Sequence, residues 1–170
     1  QWLCGMPATL QAFCRFGRYH DIEVEDEATA WFEYPNGATG VFVGSTGEAP
    51  GINRFDVVGD RGTLCFDGER LLWRETTPAT SAYNRDTRDM FGMPDSETRD
   101  LTPERGGDQH AAVLSNFAAA ILSGEPLIAP AADGLDSLAL ANAMLLSTWE
   151  GAPVSLPLDS ARYQRALDQR

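Results

Sequence analysis

At 170 residues the chain suits one domain, whose folding buries about 70% of the surface an unfolded chain exposes. Hydrophobic residues make up 43% and charged residues 22%, a globular mixture rather than a disordered one, and no apolar run approaches the roughly 18 residues that cross a bilayer. With 13 basic against 25 acidic residues the net charge is −12, which argues against nucleic acid and anionic membranes as partners.

The N-terminus lacks a basic region followed by an apolar one, so no secretory signal is visible. Gln1-Trp2-Leu3-Cys4-Gly5 reads as the last turn of a helix stopped by glycine. Nothing ahead of it begins that helix, so a fragment is expected. Cys4, Cys14 and Cys65 are odd in number and form no C-x-x-C pair. They are expected to be reduced, buried thiols in a cytoplasmic protein.

Thr9 to Arg18 reads as a first strand, Leu10, Ala12, Cys14 and Phe16 alternating with Gln11, Phe13 and Arg15. A polar, acidic connection, Tyr19 to Asp26, leads into a hairpin: Ala28 to Tyr34, a turn at Pro35-Asn36-Gly37, and a return through Ala38 to Val43. Asn-Gly is a strong turn signal because both residues tolerate the positive φ of tight hairpins. Ala28, Ala30, Phe32 and Tyr34 share one face, and Thr29, Trp31 and Glu33 the other. After a loop with three glycines between Gly44 and Gly51, strands follow at Asn53 to Gly59, Thr63 to Phe66 and Arg70 to Glu75. Short turns make successive strands antiparallel, giving a meander of about six strands.

Thr76 to Gly107 has no clean periodicity and carries three prolines; it is expected to be a long loop capping something. A helix capped by Asp108 follows, with an inner stripe of Val113, Leu114, Phe117, Ile121 and Leu122 before Gly124. A second runs from about Asp133 to Trp149, with Leu135, Leu138, Ala139, Asn142, Leu145, Leu146 and Trp149 inward, and Gly151 ends it. Val154 and Leu156 read as a short strand, and Ser160 to Asp168 as a terminal helix. The expected fold is α+β: an open, mostly antiparallel sheet of about six or more strands with helices on one face. If the helices cover Phe32 and Tyr34, the other face presents Trp31, Thr39, Val41 and Val43. A partly apolar sheet face is a liability that another copy of the chain would remove, so a homo-oligomer through this face is expected.

Motifs for a P-loop, a dinucleotide fold, a nucleophile elbow or a zinc protease are absent from these 170 residues. His20 and His110 lie far apart and the cysteines lack ligand spacing, so no metal is expected. His110 is the residue singled out. It opens a helix directly after the long loop, and imidazole exchanges protons near neutral pH, which suits a site handling hydroxyl groups; the alternative is a histidine bonded to its own helix start. Tyr83, Arg85 and Arg88 in the loop are in reach of a polar ligand, or are solvated charge. His20 reads as ordinary surface. Glu25 and Asp26 face opposite ways in an extended segment and steer the strand entry rather than work as an acid–base pair.

Four pieces in order resemble the C-terminal domain of the glucose-fructose oxidoreductase / inositol dehydrogenase (Gfo/Idh/MocA) family. Trp2-Leu3-Cys4-Gly5 is similar to the end of its D-x-x-x-W-L-x-G helix. Val24 to Ala30 followed by Asn36-Gly37-Ala38-Thr39-Gly40 is similar to its "v-E-D-x-a … n-G-a-x-G" hairpin, and Val58 to Leu64 to its "i-x-G-x-x-G-x-l" turn. His110 through Asn116-Phe117 and Ile121, then Pro126, Asp133-Gly134, Ala143 to Ser147 and Pro153-Val154, resembles its closing helical region. The resemblance implies the substrate-binding and oligomerisation domain of an NAD(P)-dependent oxidoreductase acting on a sugar, polyol or related small molecule. It implies that the Rossmann domain, the lysine of an E-K-P motif, and the Asp and His of a D-x-G-x-H segment precede residue 1. No catalytic residue, no cofactor and no activity are then expected in this chain itself; NAD or NADP belongs to the parent protein, and His110, Tyr83 and Arg85 are left as candidate substrate contacts. Association through the open sheet face is also a family habit. The alternative is a stand-alone dimerisation or ligand-binding module without chemistry.

Overall fold

The computed structural model describes residues 1–104 and 109–170, with only the backbone at Gln109; the cap expected at Asp108 lies outside the described residues. In chain order it has strands β1 (Thr9–Phe16), β2 (Glu25–Glu33), β3 (Thr39–Ser45), β4 (Phe55–Gly59), β5 (Gly62–Phe66) and β6 (Leu71–Thr77). Helix α1 (Thr80–Asp86), strand β7 (Asp95–Asp100), helices α2 (Gln109–Ser123) and α3 (Gly134–Glu150), strand β8 (Val154–Ser155) and helix α4 (Ser160–Leu167) follow. Every strand pairing is antiparallel, and the fold is α+β as the sequence predicts. The meander, however, is divided into two four-stranded sheets, ordered β3-β2-β1-β8 and β4-β5-β6-β7. Gly47, Pro50 and Gly51 separate β3 from β4; proline removes a ladder donor and glycine weakens a strand. Two compact units result, one of Gln1–Ala49 with Val113–Arg170, the other of Pro50–Ala112.

In the first unit, the hairpin turn is closed by Gly37 N–H donating to the Tyr34 carbonyl at 2.9 Å, and Asn36 Oδ1 accepts from Ala38 N–H at 3.0 Å. Only Gly37 takes positive φ, +84°, so the turn is the longer kind with one left-handed glycine, not the two-residue turn that needs two such residues. Behind the sheet lies α3. Leu10, Ala12, Ala30, Ala143, Leu146 and Val154 form the buried core, with Phe32, Leu140, Met144 and Leu156 against it. Three of those six are alanine, which lets helix and sheet approach closely.

Strand β8 covers only Thr9 and Leu10 of β1, leaving the rest of that edge without a strand. Two hydroxyls of α3 take its place. Ser147 Oγ accepts from Ala12 N–H at 2.9 Å and donates to the Ala152 carbonyl at 2.8 Å, and Thr148 Oγ1 accepts from Cys14 N–H at 2.9 Å. Buried backbone donors are thereby satisfied, and the helix is fixed in register along the strand. Gly151, at φ +63°, ends the helix as expected.

The burial of α2 differs from expectation. Val113, Leu114, Phe117, Ile121 and Leu122 are exposed, as are Leu135 and Leu138 at the start of α3. Further along α3 the expected inner side holds, with Leu146 buried and Ala139, Asn142, Leu145 and Trp149 half-buried, and Ala143 and Ser147 are buried beside them. Asn116 ties the connection after α2, donating from Nδ2 to the Pro126 carbonyl at 3.0 Å and accepting at Oδ1 from Ile128 N–H at 2.9 Å.

In the second unit, Gly62 adopts φ +138°, and a Cβ there would run into the Arg74 carbonyl, so the β4–β5 turn requires glycine. Asp60 of the same turn accepts from Ser81 N–H at 2.7 Å and from Ser81 Oγ at 2.9 Å, satisfying the open amides at the start of α1 from outside the helix. Residues 76–104 are therefore not a bare loop. They contain α1 and β7, whose polar run Asp95–Asp100 pairs with β6 from Leu72↔Asp100 to Thr77↔Asp95. Ion pairs along the ladder, Arg99 to Glu75 at 3.1 Å and to Glu97 at 3.4 Å, help a strand of low intrinsic propensity to form. Among the described residues no helix is long and apolar enough to cross a membrane.

Candidate functional site

The sheet of the first unit has one covered face and one bare one. Register pairs Trp31 with Val41, Thr29 with Val43 and Glu33 with Thr39, so the four residues expected at an interface, Trp31, Thr39, Val41 and Val43, do share a face, opposite Ala30 and Phe32. Trp31 is 47% exposed, Val41 64% and Val43 65%. Sequence reasoning left out Phe13, which β1 adds beside Thr29 and which is 63% exposed; its alternation opposite Ala12 and Cys14 is the signal that places it there. The result is a continuous apolar strip of Phe13, Trp31, Val41 and Val43 across three strands, edged by Gln11, Glu33 and Thr39. Scattered apolar residues are normal on a surface, whereas a contiguous strip marks a contact region.

One end of that sheet carries a polar lock. The Asp26 carboxylate is buried and accepts from Tyr19 N–H at 2.6 Å and His20 N–H at 3.2 Å. Thr46 Oγ1 donates to the Asp26 carbonyl at 3.3 Å and lies 3.2 Å from His20 Nδ1, which itself stands 3.7 Å from the carboxylate. Arg18 pairs with Glu27 at 3.0 Å, and Tyr19 Oη donates to the same carboxylate at 2.7 Å. Asp26 thus pins the connection before β2, while adjacent Glu25 stays exposed. Burial works against the Asp26 charge, yet the amides of Tyr19, Arg18 and His20 outweigh it and hold the group below the usual carboxylate range. A depressed carboxyl stabilises the fold above its unfolded value near ~3.9 and loses that contribution as pH falls through its folded value. Protection of the Tyr19 and His20 amides, taken relative to their intrinsic exchange at each pH, is therefore expected to fall below about pH 4. In Asp26→Asn it should be low already at neutral pH, with that part of the acid dependence gone; strong protection in the variant at pH 7 would refute the lock. Hydrogen exchange followed by NMR makes the measurement.

The three candidate substrate contacts are placed as follows. Tyr83 is half-buried in α1 with its hydroxyl against Gly92, which has no room for a Cβ there. Arg85 is exposed in the last turn of the same helix, where a cation suits the helix dipole. His110 is exposed in the first turn of α2. Nothing among the described residues ties the three to one another.

Of the cysteines, only Cys14 is buried; Cys65 is half-buried and Cys4 exposed, which corrects the expectation of three buried thiols. Burial raises the Cys14 thiol, and a hydrogen bond to Asp56 raises Cys65, so both are weaker nucleophiles than a free thiol. Among the described residues no group of three or more His, Cys, Asp or Glu is placed to hold a metal ion.

Comparison with known proteins gives the setting of these features. The family model for the GFO/IDH/MocA C-terminal domain matches residues 1–65, a span holding three of the four sequence motifs. No curated protein sequence matches. Among solved structures, the chain is similar to the WlbA dehydrogenase of Bordetella pertussis, in complex with NADH and UDP-GlcNAcA. That match has a TM-score of 0.67 and 22% identity, covering 93% of this chain and 41% of that one. The aldose-aldose oxidoreductase of Caulobacter crescentus, complexed with glycerol, matches with a TM-score of 0.64 and 23% identity over 89% of this chain and 42% of the other. A levoglucosan dehydrogenase, in complex with NADH and L-sorbose, matches at 0.69 and 16% identity over 92% and 46%. The chain spans less than half the length of each. Residues 1–65 thus match the GFO/IDH/MocA C-terminal domain by sequence, and about nine-tenths of the chain shares the fold of these oxidoreductase structures.

Proposed function

We propose that this chain is the substrate-side and self-association half of an NAD(P)-dependent oxidoreductase acting on a sugar, polyol or related hydroxylated small molecule. The observation that carries the reading is the agreement of fold across 89–93% of the chain with oxidoreductases whose structures hold NADH or hydroxylated ligands. The exposed apolar residues of α2 support it, being surface that a further domain of the parent protein would cover. In that arrangement the nicotinamide and the groups that move the hydroxyl proton sit on the other domain, and this one forms a wall that orients the substrate. His110 contributes a hydrogen bond to a substrate hydroxyl, and Tyr83 and Arg85 are further candidate contacts. The bare sheet face joins copies of the protein. Alone, the 170 residues bind no nicotinamide nucleotide and catalyse nothing.

The test is the protein read from its full coding sequence. A strand followed by G-x-G-x-x-G is expected upstream of Gln1, and the purified product should reduce NAD+ or NADP+ with at least one member of a panel of sugars and polyols. In it, His110→Ala should raise KM about tenfold with kcat little changed, the mark of a binding hydrogen bond lost. A reading frame without a dinucleotide fold would overturn the proposal.

A further inference from the structure

All 13 basic residues of the chain are arginines, and three of them, Arg162, Arg165 and Arg170, line one groove of about 560 Å³ together with Trp149, Glu150 and Gln169. On a chain of net charge −12, such a local excess of positive charge stands against the average field. Arg162 is neutralised: its guanidinium forks onto both oxygens of Glu150, Nε donating to Oε1 at 2.9 Å and a terminal nitrogen to Oε2. That pairing holds Glu150 below, and Arg162 above, their ordinary ranges. Arg165 and Arg170 have no acidic partner within salt-bridge distance among the described residues.

Arg170 is not a free surface cation. Its guanidinium lies 5.4 Å from the centre of the Trp149 ring and donates to the Trp149 carbonyl at 3.4 Å, and the indole is itself stacked on Tyr163 at 5.8 Å with 21° between planes. Stacking on an aromatic face fixes the planar fork in place, so less freedom is lost when it meets an anion. Arg165 sits one helical turn before the Gln169 end of the groove, in the last turn of α4. Two guanidiniums of like charge in one groove repel each other, and a bound oxyanion of multiple charge relieves that repulsion while accepting from both forks and from the Gln169 amide.

We propose that the Trp149–Arg165–Arg170 groove is a binding site for a small oxyanion of multiple charge, a phosphate or diphosphate group. It lies wholly within the first unit and is independent of the function proposed above. The experiment titrates the 15N-labelled chain with inorganic pyrophosphate at constant ionic strength, following the Trp149 indole and arginine Nε–H signals. A saturable shift of Trp149, Arg165 and Arg170 signals is expected. It should weaken about tenfold or more in Arg165→Gln and be lost in Arg165→Gln/Arg170→Gln, because each guanidinium supplies a charge-assisted hydrogen bond. Arg74→Gln, an exposed arginine of the other unit, should leave the titration unchanged, and circular dichroism checks that each variant is folded. A shift that grows without saturation, is matched by chloride at the same ionic strength, or survives in the folded double variant overturns the site.

Discussion

Leu146→Ala is expected to lower the stability of the chain by about 2–5 kcal/mol, the range for truncating a buried leucine. Leu146 is fully buried, between the β1–β2 face and the α3 backbone, with Leu10, Ala12, Ala30 and Val154 around it. The cost depends on how far the surroundings collapse into the space left. Here they are hindered, because Ser147 and Thr148, the next residues along the helix, are bonded to the backbone of β1. The helix cannot slide inward without breaking those bonds, and the neighbouring alanines have no side chain to extend. The upper half of the range follows. Leu138→Ala, on an exposed position of the same helix, should change stability by no more than about 0.5 kcal/mol. Urea unfolding followed by circular dichroism measures both: a lower midpoint with unchanged slope is expected for Leu146→Ala. A loss below about 1 kcal/mol would mean the core is elsewhere.

How far the sequence foretells this architecture depends on the range of the interaction concerned. Strands, turns and helix ends set by neighbouring residues were legible: the alternation of Leu10, Ala12 and Cys14, the glycine at Gly37, the left-handed stops at Gly124 and Gly151. The helix at Thr80–Asp86 and the strand Asp95–Asp100 were not. Their residues are polar and carry no hydrophobic period, and what holds them is distant in sequence: the Asp60 carboxylate for the helix start, the β6 ladder and Arg99 pairs for the strand. The division into two sheets was hidden for the same reason, since strand signals do not reveal which edges pair. The α2 stripe is apolar, as its period predicts, but exposed rather than core, because a periodic face states only that something must cover it.

The candidate site divides the same way. The bare sheet face was legible in the hairpin, where one register relation assigns Trp31, Thr39, Val41 and Val43 to one side, and only Phe13 of the adjacent strand escaped. The role of Asp26 as anchor for the Tyr19 and His20 amides depends on the path of a connection that no periodicity describes. His110 is singled out by motif position and residue chemistry, Tyr83 and Arg85 by residue chemistry alone, and nothing among the described residues joins the three.

The bare face leads to the second large effect. Val41 and Val43 are about two-thirds exposed, so replacing them costs the folded monomer little. In a symmetric pair both copies bring this same strip to the contact. Val41→Glu/Val43→Glu then sets like charges against one another in place of apolar contact, at a cost of several kcal/mol, which is about 100-fold or more in the association constant. In such a pair Trp31 would be the large aromatic anchor that interfaces favour, so Trp31→Ala should weaken association with less effect than the double charge. The account rests on a sheet covered by α3 on one side and free to take another copy on the other. Sedimentation velocity of the unmodified chain and of the folded Val41→Glu/Val43→Glu variant at micromolar concentration tests it most directly. A dimer or larger species for the first and a monomer for the second is the predicted result, and a monomer for both, or an unchanged oligomer in the variant, would contradict it.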